Sequence, residues 1–215
     1  MTSAHLAFWV AVTLACCGCA SAPVSYFTLI PSAASSNAEP ANTCCVIEIR
    51  SVRIPSEVDR PELVIRRSDE QLTVLSNDLW VAPLRDEVRS ALLNNIRGKL
   101  PQAQPDRRAG ARKFVVFVDV RRFESEPASY ALIGAEWRVE PAEALKSAAP
   151  ICKTIAKVNV AGGLSGVVQG YQQAISRVAS SIAMYLLAAE EGGGPVCPEA
   201  ETVDTAFAPV DSAAG

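Results

Sequence analysis

An apolar stripe with strict four-residue spacing is the strongest constraint on the fold of this chain. Its members are Leu84, Val88, Leu92, Ile96 and Leu100. Positions four apart share one face of an α-helix, so this spacing predicts a helix with charged residues on its other side. Pro83 suits the first turn, where its missing N–H would have had no partner. Because such a stripe must be hidden from water, we expect the helix to cover a sheet.

The residues ahead of this helix predict a β-hairpin. Apolar and polar positions alternate through residues 63–66, and apolar residues return over 72–75. Residues 68–70 between them are Ser, Asp and Glu, which favour a turn. Residues 78–83 are then expected to lead into the helix.

The sequence from Asp59 to Ile96 also resembles a known family. It reads DRPELVIRR, then QLTVLSNDLWVAPLRDEVRSALLNNI after the turn. This is similar to the PqiC-like family of ABC-type transport auxiliary lipoproteins, in which a hairpin precedes a Trp-Ala-acid-Pro-Leu helix start. Trp80, Pro83 and Leu84 match that pattern, whereas Val81 and Ala82 replace its Ala and acid.

Three shorter matches extend the resemblance along the chain. They are YFTL at residues 26–29, VDVRRFE at 118–124 and GAEWRV at 134–139. The resemblance therefore covers about residues 19–188 in order and leaves the C-terminal residues outside it.

Hydrophobic patterning predicts an α+β domain. Five further segments are expected as strands: residues 26–30, 45–54, 114–120, 130–139 and 151–160. A second apolar stripe runs through residues 166–187, and glycines at 192–194 with Pro195 should stop that helix. We expect a mainly antiparallel twisted sheet with two amphipathic helices packed on one face, and Trp80 and Trp137 in the core.

The N-terminal residues predict a bacterial lipoprotein. A short apolar run ends at Gly18-Cys19, so residues 1–18 are expected to be a signal peptide and Cys19 the lipidated first residue. Plain secretion and an uncleaved segment remain alternatives. Residues 19–25 would form a tether, 26–189 the domain, and 190–215, with six acids and no base, a disordered tail.

Composition argues against several function classes. The only histidine, His5, lies in the predicted signal peptide, so the mature chain is expected to have no histidine-dependent catalytic or metal site and no cofactor. The net charge is −3, with no concentrated basic stripe of the kind that nucleic acid requires. The sequence leaves open the disulfide pairing of Cys44, Cys45, Cys152 and Cys197. Adjacent Cys44 and Cys45 are expected to point to opposite faces of a strand, one inward and one outward.

The resemblance implies a function without catalysis. Proteins of this kind are auxiliary subunits of MCE-type, ABC-linked lipid transport systems, anchored in the outer membrane and facing the periplasm. The implied partners are an MCE-domain protein and its permease, and homo-oligomerisation stays open. The alternatives are a lipoprotein that binds a lipid or small apolar ligand alone, and a structural envelope lipoprotein. We expect Arg60, Arg66 and Arg67 on the hairpin to form a docking edge, or simply to keep an edge strand solvated.

Overall fold

The computed structural model describes residues 22–31, 44–101, 112–144, 149–192 and 196–198. These residues form strands and two α-helices, with a short 3₁₀ turn at Ala142–Ala144. In chain order they are β1 (Ser25–Phe27), β2 (Val46–Arg53), β3 (Glu62–Ser68), β4 (Gln71–Trp80), α1 (Leu84–Lys99), β5 (Lys113–Glu126), β6 (Tyr130–Pro141), β7 (Cys152–Asn159) and α2 (Gly163–Glu190).

The strands belong to two sheets. One has the order β1-β4-β3 and contains the predicted hairpin, with β1 parallel to β4. The other has the order β2-β5-β6-β7, in which β2 runs parallel to β5 and the remaining pairs are antiparallel. The predicted α+β class is confirmed. The expected single sheet is instead divided in two, and each sheet contains one parallel pair.

Both helices cover the four-stranded sheet. Helix α2 packs on β6 and β7, and α1 packs on β2 and against α2. Gly170 lets α2 approach closely, since a Cβ there would lie 2.3 Å from the Val160 side chain and 2.8 Å from that of Ala131. Both predicted stripes are buried, as illustrated by Val88 and Ile175, each 1% exposed.

An aromatic cluster joins the two sheets and α2. The Tyr171 ring of α2 stacks on Phe123 of β5 with ring centroids 4.1 Å apart. Trp80, from the end of β4, meets both rings edge-on at 6.2 and 6.4 Å. Such arrangements contribute beyond simple area burial. Trp80 and Trp137 are 5% and 1% exposed, which confirms that both are core residues.

The approach to α1 differs from the prediction. Residues 78–80 continue β4 and pair with Ser25–Phe27, because β1 supplies the hydrogen-bonding partners that a helix lead-in would not have. The Pro83 carbonyl accepts hydrogen bonds from the backbone N–H groups of Asp86 and Glu87, so α1 begins immediately after the proline.

A buried carboxylate fixes the residues that follow β1. Glu87 is 4% exposed, and its Oε2 accepts hydrogen bonds from the Thr28 hydroxyl at 2.8 Å and the Leu29 N–H at 2.7 Å. The Gln172 side-chain amide of α2 donates to the Thr28 carbonyl at 3.0 Å. Both helices therefore hold the N-terminal segment against the core.

A disulfide corrects the predicted tail boundary. Cys152, at the start of β7, is bonded to Cys197, with Cα atoms 5.2 Å apart. Helix α2 also runs through Glu190. The chain is thus covalently tied to the domain at Cys197, and the predicted start of a disordered tail at residue 190 is wrong for Glu190 and for Cys197. Residues 199–215 lie outside the described residues.

Cys44 and Cys45 are not in a disulfide, and their arrangement corrects a second expectation. They precede β2, and their sulfurs lie 3.3 Å apart instead of facing opposite ways. Strand alternation does not apply to them because they lie outside the strand. Burial, with the contact to Cys44, raises the pKa of the Cys45 thiol, so its reactive thiolate form is disfavoured.

We predict that residues 192–198, which include Cys197, contribute to stability and that residues 199–215 do not. Truncation after Glu191 removes Cys197 and should lower the free energy of unfolding by roughly 2–4 kcal/mol, a typical disulfide contribution. Truncation after Pro198 keeps the bond and should leave the urea midpoint close to that of the full chain. Equal midpoints for the two truncations would contradict the prediction.

A second prediction concerns the buried carboxylate. Glu87→Ala leaves the buried Leu29 N–H without its acceptor, which should cost about 1–3 kcal/mol. It should also speed proteolysis near residues 25–30. Asp86→Ala is the matched control, because Asp86 lies in the same helical turn but pairs with Arg89 at the surface. If both variants show the same stability and the same cleavage rate, the carboxylate does not hold the segment.

Candidate functional site

The hairpin arginines occupy two different places. Arg60 precedes β3 at the base of the hairpin and pairs with Glu62 at 3.0 Å. Arg66 and Arg67 lie near the tip, where residues 69 and 70 form the turn. The structure therefore separates the three residues that the sequence grouped as one edge.

Arg66 is used within the domain. Its guanidinium donates to the Asp69 carbonyl at 2.9 Å and lies 3.5 Å from Glu124 of β5. Hydrogen bonding from Arg122, supported by Arg66, holds the pKa of Glu124 below its usual value. This contact fixes the hairpin against the four-stranded sheet. Arg67, in contrast, donates only to the Thr73 hydroxyl among the contacts described, at 3.3 Å.

A shallow groove of about 340 Å³ lies along β2, β5 and β6. Its lining is strongly charged: Arg53 pairs with Asp119 at 2.6 Å, and the Arg138 guanidinium lies 4.1 Å from the centre of the Phe117 ring. Ile151 at its border is 69% exposed. An open groove crossed by ion pairs suits surface contact better than enclosure of an apolar molecule.

The helix–sheet interface is filled by side chains. Tyr171, Ile175 and Ile182 of α2 are each no more than 1% exposed. Trp137 of β6 donates from its indole to the Thr154 hydroxyl at 3.0 Å and meets the Tyr185 ring edge-on. The part of the fold where a lipid pocket would be expected is therefore packed core.

The described residues bring no reactive constellation together. No group of three or more His, Cys, Asp or Glu within them could hold a metal ion. The carboxylates with lowered pKa, Glu48, Glu62 and Glu124, are in ion pairs with arginines or lysine.

No helix among the described residues is both long and apolar enough to cross a bilayer. The predicted lipidation site, Cys19, lies outside the described residues. Sequence reasoning missed the structural role of Glu87. Its position in the first turn of α1 favours an acid there, but its partners lie 58 and 59 residues away.

Comparison with known folds supports the architecture. A solved protein described only as uncharacterized superposes with a TM-score of 0.59 and 20% identity, covering 75% of this chain and 97% of that one. A Xanthomonas campestris protein superposes with a TM-score of 0.53 and 16% identity, covering 71% and 91%. At these identities the likeness concerns the fold alone.

Sequence comparison identifies relatives with described roles. The Intermembrane transport lipoprotein PqiC of Escherichia coli is 26% identical over 139 residues, which is 61% of this chain and 68% of that protein. The Shigella flexneri protein of the same name matches equally. The family model of the ABC-type transport auxiliary lipoprotein component matches residues 27–183, from β1 into the second half of α2. This chain therefore belongs to the family of ABC-type transport auxiliary lipoprotein components.

Proposed function

We propose that this chain is a non-catalytic, lipid-anchored subunit of an MCE-type, ABC-linked lipid transport system. The observation that carries the proposal is the family match over residues 27–183, together with the similarity to a protein named for intermembrane transport. The subunit would sit on the outer membrane, face the periplasm and support membrane integrity. It would meet an MCE-domain protein and its permease.

The side chains favour docking over chemistry. The thiol of Cys45 is held in its protonated form by burial, and surface carboxylates are neutralised by neighbouring basic groups. The ion-paired side chains of the described surface, such as Glu48 and Glu124, are thus arranged for ionic contact and not for proton transfer. A part built in this way contributes by orienting or connecting other components.

Two other functions have less support. A lipoprotein that binds a lipid or small apolar ligand alone needs an enclosed apolar cavity, whereas the helix–sheet interface is filled by Tyr171, Ile175 and their neighbours. A purely structural envelope lipoprotein fits the packed core equally well, but it leaves the transport family unexplained. Partner capture distinguishes it from the transport subunit.

Within this proposal, the three hairpin arginines remain candidates for partner docking, and Arg60 is preferred. Its side chain is 42% exposed and it sits at the hairpin base, whereas the side chain of Arg66 is 23% exposed and tied to Glu124. Exposed charges at the rim of an interface mainly tune the rate and specificity of association.

Capture from membranes tests the proposal. Full-length protein, tagged after Gly215 and produced at its normal level, should retain an MCE-domain protein and a permease after mild cross-linking. Arg60→Glu should weaken this capture several-fold, since it reverses a rim charge. Arg50→Glu is the matched control, because that side chain on the other sheet is also 42% exposed and also pairs with a glutamate two residues away. Arg67→Glu reports on the hairpin tip separately.

Two outcomes would count against the proposal at different levels. Capture of neither partner by the unsubstituted protein would remove the transport role and leave the structural lipoprotein in its place. Full capture by Arg60→Glu would keep the transport role and remove the hairpin base as the docking surface.

A further inference from the structure

The direction of β1 shows from which side the chain enters the domain. Strand β1 runs parallel to β4, with Ser25 opposite Asp78 and Phe27 opposite Trp80. Parallel strands advance together, so the residues before Ser25 lead back along β4 toward its first residue, Gln71. That residue follows the hairpin turn. The chain therefore approaches β1 from the side of the hairpin tip.

The segment from Cys19 to Ser25 is as long as the part of β4 from Leu72 to Asp78. Cys19 lies six residues before Ser25, and Leu72 lies six residues before Asp78. An extended segment of this length reaches ~20 Å, at about 3.4 Å per residue. If the register of β1 is continued backward, Cys19 reaches the level of Leu72. An anchor at Cys19 would thus hold the hairpin tip near its bilayer.

Exposed apolar side chains line the same sheet. On β4, Leu72 is 47% and Val74 is 41% exposed, close to the hairpin turn. Val24 and Tyr26 are also exposed, but Tyr26 lies opposite Leu79 at the far end of β4. β1 pairs only with Asp78–Trp80, so the strand residues from Gln71 to Asn77 have no neighbour on that edge among the described residues. Exposed aliphatic side chains in such a position are stabilised by burial at a membrane interface.

The arginines near the tip can contact lipid phosphates, although the exposed Asp69 and Glu70 of the turn balance their charge. Arg67 is exposed and donates to Thr73, and the neighbouring Arg66 is held in place by the Asp69 carbonyl. Guanidinium groups pair well with phosphate oxygens. Aliphatic side chains beside arginines are the combination expected of a segment that lies at the headgroup level of a bilayer.

We infer that the tip of the β3–β4 hairpin and the neighbouring apolar edge, Leu72 and Val74, rest on the phospholipid surface to which the chain is anchored. This inference depends on the lipid anchor at Cys19 in the proposed function. It adds a second point of membrane contact, which fixes the orientation of the domain in addition to its distance from the bilayer.

The opposite end of the domain then points away from the lipid. Glu124 of β5 contacts Arg66 near the tip, and β5 begins at Lys113, eleven residues earlier. A strand of that length spans about 36 Å at ~3.3 Å per residue. Ile151 directly precedes Cys152, the first residue of β7. Cys152 lies opposite Trp137 of β6, and Trp137 lies opposite Val118 in the middle of β5. Ile151 is thus about 20 Å from the tip end of the sheet, and it serves as a control position.

Tryptophan quenching by lipids tests the inference directly. Acylated protein that begins at Cys19 and carries Leu72→Trp is reconstituted into vesicles of phosphatidylethanolamine and phosphatidylglycerol with a brominated phospholipid. Ile151→Trp is the matched control, since it replaces an apolar residue that is 69% exposed. The native Trp80 and Trp137 are buried, and the unsubstituted protein supplies their background. Circular dichroism checks the fold, and flotation checks membrane attachment.

The inference predicts strong quenching and a blue shift for Leu72→Trp and little change for Ile151→Trp. Flotation without quenching at position 72 would overturn it while leaving the anchor in place, and the apolar edge would then belong to a protein partner. Equal quenching at both positions would also overturn it, because the domain would have no preferred orientation. Failure to float with the vesicles would remove the lipid anchor of the proposed function and the inference with it.

Discussion

The Glu87 carboxylate connects the N-terminal segment to the rest of the fold. It accepts hydrogen bonds from Thr28 and Leu29 within an almost fully buried site, and α2 holds the same segment through Gln172. A buried carboxylate is stable only when its oxygens accept hydrogen bonds. The Glu87 carboxylate and residues 28 and 29 therefore hold each other in place. The segment that would transmit a membrane anchor to the domain is therefore part of the core.

The two sheets depend on the aromatic cluster in a similar way. Trp80 comes from one sheet, Phe123 from the other and Tyr171 from the helix that covers the second sheet. The Arg66–Glu124 contact adds an ionic link between the hairpin and β5. Because the hairpin is held at these two places, it can present its tip in a fixed direction, as a docking or membrane-contacting element requires.

Local patterns predicted the parts of the fold that depend on local periodicity. The stripe through Leu84 and Val88 identified α1, and alternation identified the hairpin, because burial of one face leaves a regular spacing in the sequence. The parallel pairing of β1 with β4 and the Cys152–Cys197 bond leave no such spacing. For the candidate site, the sequence identified the hairpin and its three arginines. It did not show that Arg60 lies at the base and Arg66 at the tip, where Arg66 contacts Glu124 of a distant strand.

The central claim is that a short tether from Cys19 holds this domain at a membrane. Mass spectrometry of the mature protein, purified from the membrane fraction, tests it most directly. The account predicts a first residue of Cys19 whose mass includes acyl chains, and loss of membrane association in Cys19→Ala with the fold retained. A mature protein that begins at another residue, or carries no acyl mass, would contradict it.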